Sequence, residues 1–176
     1  ALVNSGDKAV YGAYDNILEL HQLHPDSILY GAVNLYKNDK FVEVDGSSAQ
    51  NLERKMISHP AALVPKSIYN KYGLYDESYR LAGDWDLFLT FFKSGVDFYF
   101  TNRLVVDFDL TGISNVNAYL IWKENKRLLK AHEVKNKRTP SEMVKFLITF
   151  LLPGFCYSLI KIVVSSLKLF IRKHKK

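Results

Sequence analysis

A change of period at Gly95 constrains this chain more than any other feature. Upstream of it, Trp85, Phe88, Leu89 and Phe92 fall at i, i+3, i+4 and i+7, one face of a helix. Downstream, Val96, Phe98 and Phe100 lie on one side of an extended chain, with Asp97 and Tyr99 on the other. Leu104, Val106 and Phe108 then read as a second strand after Thr101-Asn102-Arg103. A helix that stops at glycine and hands over to strands belongs to an α/β architecture. Asp84 precedes the first periodic residue, where an N-cap belongs, and Asp86 follows it. Two readings stand side by side. Both carboxylates complement the helix dipole, or Asp84 is an ionised group aimed at a substrate hydroxyl as a general base.

The preceding chain reads as alternating elements. Residues 15–24 form a short helix, with Asp15 as its cap and Pro25 as its stop. Residues 27–33 form a strand, Asn38-Asp39-Lys40 a hairpin turn, and residues 41–44 the return strand. Residues 45–56 are polar and loop-like. Residues 61–64 form a buried strand, and Pro65 opens a helix that ends at Gly73. Residues 117–137 read as a long helix, and Thr139-Pro140-Ser141 breaks it.

Hydrophobic residues make up 48% of the chain and charged residues 24%, a globular rather than a disordered composition. The single Cys156 excludes an internal disulfide. The net charge of +6 conceals a split. Residues 1–122 hold 10 basic and 15 acidic residues, whereas residues 123–176 hold 14 basic and 3 acidic. The basic end therefore points to an anionic partner, nucleic acid or membrane.

Four motifs occur in order. Asp76-Glu77-Ser78-Tyr79-Arg80-Leu81-Ala82-Gly83-Asp84-Trp85-Asp86-Leu87 resembles the "fDE-x-[YF]-x-x-A-x-D-[WY]-D-L" segment of inverting family 2 glycosyltransferases. Leu2-Val3-Asn4-Ser5-Gly6-Asp7 is similar to the family's metal-binding aspartate motif. Ile57-Ser58-His59-Pro60 and Gly112-Ile113-Ser114-Asn115 fall where the family carries an "isH" strand and a "GiS" loop. The resemblance spans residues 1–115. It implies a partial GT-A-like fold, a mixed sheet with flanking helices, over residues 1–116. Asp84 would be the catalytic base, and His59, Trp85, Asp86 and Ser114 would contact substrate. Asp7 would bind Mg2+ or Mn2+, since hard cations take oxygen ligands and share them with phosphates. Asp109 stands where relatives complete the metal site with histidine, and a solvated turn carboxylate is its other reading. On residues alone, Asp7 is ordinary turn chemistry and His59 a structural histidine.

The family's nucleotide-binding half precedes the metal motif, whereas this chain opens at that motif. The expected activity is inverting transfer of a sugar from a nucleotide-diphosphate sugar to a glycan or lipid-linked acceptor, in surface-polysaccharide biosynthesis. The alternative is a truncated, non-catalytic, membrane-associated remnant that binds glycan or a partner protein. A hydrolase using Asp84 and Asp86 as an acid/base pair is disfavoured, because residues i and i+2 of a helix point apart.

Residues 117–139 form a basic helix and linker, and residues 140–176 a tail of amphipathic helices divided at Pro153-Gly154. Residues 146–160 carry no charge but fall short of the roughly 20 residues a spanning helix needs. Ser158, Lys161, Ser165, Lys168 and Arg172 recur at steps of three and four, one polar stripe on an apolar helix. That pattern predicts a helix lying in the interface of an anionic membrane, with packing on the catalytic domain or on a second subunit as its other reading, and the resemblance implies a peripheral protein at the cytoplasmic face. Nucleic acid is not expected, because the basic residues interleave with aliphatic faces rather than stacking aromatics.

Overall fold

A ten-residue strand, β2, organises the molecule. The computed structural model describes residues 6–111 and 117–135. In chain order the elements are β1 (Lys8–Ala9), α1 (Ala13–Leu23), β2 (Ile28–Lys37), β3 (Lys40–Asp45), β4 (Ala62–Leu63), α2 (Lys66–Tyr72), α3 (Gly83–Lys93), β5 (Phe98–Asp109) and α4 (Ala118–Ala131). The five strands form one mixed sheet in the order β1-β5-β2-β3, with β4 also on β2. β2 runs parallel to β5, from Ile28 opposite Phe98 to Tyr36 opposite Asp109. Its Ile-Leu-Tyr start is buried, as expected of a strand covered on both faces. Ile28 and Tyr30 join the core formed with α2, α3 and α4. Leu29 and Val33 join the core formed with α1. The architecture is therefore mixed α/β, with five strands and four helices among the described residues.

Local signals place most elements. Asn38 and Asp39 both take positive φ, the conformation of a tight two-residue hairpin, and join β2 to β3. Pro65 precedes α2 and Gly73, at φ 104°, follows it. Gly95, at φ 79°, closes α3.

Several expectations are corrected. The two strands expected across residues 96–108 are one strand, β5, because β2 pairs with it on both sides of residues 101–103. Thr101-Asn102-Arg103 forms a bulge instead of a turn, with Asn102 at φ 53°. Gly31 faces this bulge, where an added Cβ would collide with the Arg103 carbonyl oxygen. Asp15 does not cap α1. Gly12 holds that position in a left-handed conformation, and Asp15 lies in the first turn. Residues 45–56 are not merely a polar loop, since Leu52 is fully buried. The helix expected at 117–137 ends at Ala131. Glu133 adopts φ 52°, and Val134 N–H returns to the Leu129 carbonyl.

No helix among the described residues is long and apolar enough to cross a membrane. The tail read as amphipathic lies outside the described residues, as does Ser114.

Candidate active site at the start of the third helix

The turn leading into α3 is held by a carboxylate from another helix. Glu124 of α4 is 6% exposed. Its Oε1 accepts the Arg80 N–H at 3.0 Å, and its Oε2 accepts those of Leu81 and Ala82 at 2.8 and 2.9 Å. Burial pushes its carboxyl pKa up, but these three N–H bonds and the Arg127 charge outweigh that and hold it below the ordinary value. Arg127 also lies 4.3 Å from the centre of the Tyr79 ring and donates to the Ser78 carbonyl.

With residues 80–82 fixed in this way, α3 starts at Gly83 and its N-cap is Ala82, not Asp84. Asp84 lies in the first turn. Its Oδ1 accepts the Trp85 N–H at 2.8 Å, and its Oδ2 meets His59 Nδ1 at 2.8 Å. His59 opens a single 3-10 turn, His59–Ala61, just before β4. Two residues on, Asp86 Oδ1 meets His132 Nε2 at 2.9 Å. Asp84 and Asp86 therefore serve different histidines, which removes the geometric basis for an acid/base pair of the two. Trp85, between them, is 9% exposed, and its indole N–H donates to the Leu52 carbonyl at 2.7 Å. This places Trp85 in the core, as the anchor of the helix start.

His59 forms part of the wall of a cleft of about 500 Å3. Val64, Leu74 and Phe88 supply its apolar lining, and Lys66, Tyr69, Asn70 and Tyr75 its polar groups. The Tyr75 pKa is driven up, first by burial and then by the Tyr69 phenol and the Asp84 charge. Tyr75 therefore stays a neutral donor, hydrogen-bonded to Tyr69 and within the field of Asp84. The cleft thus combines an imidazole that is paired behind the wall with the Asp84 carboxylate, phenols, an amide and one ammonium group. Such a set can bind a hydroxylated ligand and accept a proton from it.

Asp7 lies apart from this cluster in sequence, beside the carboxyl end of β5. Its Oδ1 accepts the Asp109 N–H at 2.9 Å. The Asp109 carboxylate in turn accepts the Thr111 N–H and hydroxyl, and Asp107 accepts from Asn34. The Asp109 Oδ2 lies 3.3 Å from where a Cβ on Gly6 would stand, so the carboxylate packs on the backbone next to Asp7. Among the described residues no three metal-ligating side chains gather. Asp7 and Asp109 are the two carboxylates here that could offer oxygen ligands to a hard divalent ion, which usually keeps water and phosphate oxygens as its other ligands.

Sequence reasoning missed Glu124 and His132. Glu124 carried a signal, since it lies four residues from Leu128 on an otherwise apolar face. His132 carried none; only the end of α4 brings it to Asp86. No protein-family model matches the chain, and no curated protein matches it either.

Proposed function

We propose that this chain carries the catalytic part of an inverting glycosyltransferase, with Asp84 as the base. The donor is a nucleotide-diphosphate sugar. The acceptor is a hydroxyl of a glycan or lipid-linked glycan in surface-polysaccharide assembly, at the cytoplasmic face of a membrane. One observation carries the reading: His59, on the wall of the 500 Å3 cleft, is paired with Asp84, which lies inside the segment that resembles the family's catalytic motif.

The acceptor hydroxyl gives its proton to Asp84 as its oxygen bonds to the anomeric carbon. The bond from that carbon to the diphosphate oxygen breaks on the opposite face, its electron pair leaves with the diphosphate, and the configuration inverts. The Trp85 N–H occupies one Asp84 oxygen and His59 Nδ1 meets the other, and each oxygen keeps lone pairs for the incoming proton. His59 fixes the carboxylate's orientation. Asp7 with Asp109 would hold Mg2+ or Mn2+, which supplies positive charge to the leaving diphosphate.

The test incubates the chain with UDP-, GDP- and dTDP-sugars, Mn2+ and free or lipid-linked glycan, and measures acceptor-dependent release of nucleoside diphosphate. Release supports the reading. Glycan binding with no donor binding would instead establish a non-catalytic binding protein. For the metal, Asp7→Ala should weaken donor binding more with Mn2+ than without it. Equal donor affinity with and without Mn2+ in the unaltered protein would remove the metal from the account.

A further inference from the structure

The outward face of α4 carries features that the proposed chemistry does not use. Tyr119, Trp122, Lys123, Lys126 and Lys130 recur at steps of three and four along the helix, with Arg127 at the flank. Leu128 and Leu129 lie on the opposite side, buried in the core with Glu124. The three lysines are exposed, and none has an ion-pair partner among the described residues. With Arg127 they border an open depression of about 510 Å3. Tyr119 is 56% exposed and lies 6.1 Å from the Trp122 ring, and the Lys126 ammonium sits 5.5 Å over that ring.

We infer that this face of α4 docks on an anionic lipid bilayer, with Tyr119 and Trp122 at the headgroup level and Lys123, Lys126 and Lys130 on lipid phosphates. Tyr and Trp favour the membrane–water interface, where an aromatic body meets apolar chains and its polar edge meets water. Lysines beside them keep their charge among headgroups while their stems cover apolar surface. Single-stranded nucleic acid fits less well, because it needs open ring faces for bases, and here the two rings pack together with a lysine over one of them. The surface lies within the described residues 117–135, and the inference does not depend on the transfer chemistry. Because Glu124 on the inner side of α4 holds the turn before α3, docking would bring the start of α3 close to a lipid-borne substrate.

The chain has only two tryptophans, Trp85 in the core and Trp122 on this face. Residues 137–176 contain none, so Trp122 fluorescence reports α4 separately from the tail. The experiment adds the full chain to vesicles of phosphatidylcholine with phosphatidylglycerol, including brominated lipid. Trp122 emission should shift to the blue and be quenched, and Trp122→Phe should remove most of that signal. Lys123→Gln, Lys126→Gln and Lys130→Gln together should weaken vesicle binding about 100-fold, roughly fivefold per lysine, and added salt should weaken it too. Circular dichroism of the triple variant should match the unaltered protein, because all three side chains are exposed. Unchanged Trp122 emission on bound vesicles would overturn the inference, as would unchanged affinity of the triple variant. So would a triple variant that loses single-stranded RNA binding but keeps vesicle binding.

Discussion

Asp84 and Asp86 lie two residues apart on one helix, and each faces a histidine nitrogen, at 2.8 and 2.9 Å. Their burial is also alike. Side-chain exposure is 17% and 25% for His59 and Asp84, and 14% and 16% for His132 and Asp86. Neither distance nor exposure separates the two pairs, but their neighbours do. His59 lines the cleft, and the Asp84 charge reaches the Tyr75 phenol within it. His132 directly follows the helix whose Glu124 and Arg127 clamp residues 78–82, and Asp86 acts on the Tyr79 phenol beneath Arg127. The same pairing chemistry thus serves a ligand cleft on one side and the docking of a helix on the other. What a carboxylate–imidazole pair does is decided by what surrounds it.

The docking side should break first and hardest at Glu124. Glu124→Ala leaves three backbone N–H groups without their partner, each costing roughly 1–3 kcal/mol if it stays buried. Thermal unfolding should fall by about 6–12 °C for about 3 kcal/mol in a chain of this size. A fall under about 2 °C would mean that water takes over those groups.

The histidines give the sharpest contrast. His59→Gln and His132→Gln should each cost about 1 kcal/mol of stability, since each removes one partly buried charged hydrogen bond. Only His59→Gln should also lower sugar transfer. Equal losses of transfer would merge the two pairs into one functional unit.

Acid should act through Glu124 as well. Its pKa is lower in the folded than in the unfolded protein. Its contribution is therefore complete above the unfolded value, about 4.3, and is lost as pH falls through the folded value. Urea midpoints measured from pH 6 to pH 3 should decline less steeply in Glu124→Gln than in the unaltered protein. Parallel curves would contradict the role assigned to its three N–H bonds.

The smallest effect is expected at Tyr75. Tyr75→Phe removes the hydroxyl that bonds Tyr69 at the cleft but leaves the ring, so stability should change by about 1 kcal/mol or less. A larger change, followed by chemical unfolding, would show that the phenol supports the fold and not only the cleft.

How much of this was legible in the sequence follows the range of the interactions. Gly95, Pro65, Gly73 and the Asn38-Asp39 turn act within a few residues, and the elements they bound appear where expected. The continuity of β5 was not legible, because Thr101-Asn102-Arg103 has turn composition and only pairing with β2 makes it a bulge. Asp84 was placed at the start of α3, yet its cap role was misread. Glu124, from 42 to 44 residues away, holds the preceding turn instead. His59 was flagged as a residue, but its contact with Asp84 belongs to the fold. Glu124 and His132 escaped because polar residues of an amphipathic helix look alike until the helix is docked.

The most direct test compares Asp84→Asn with Asp86→Asn, measuring nucleoside diphosphate release and donor affinity on the same samples. Removal of a general base costs typically 10²–10⁴-fold in rate. Asp84→Asn should lose transfer by that factor with donor affinity nearly unchanged. Asp86→Asn should keep most of its transfer and lose about 1 kcal/mol of stability instead. Near-normal turnover in Asp84→Asn, or an equal loss in both variants, would contradict the assignment of Asp84 as the base.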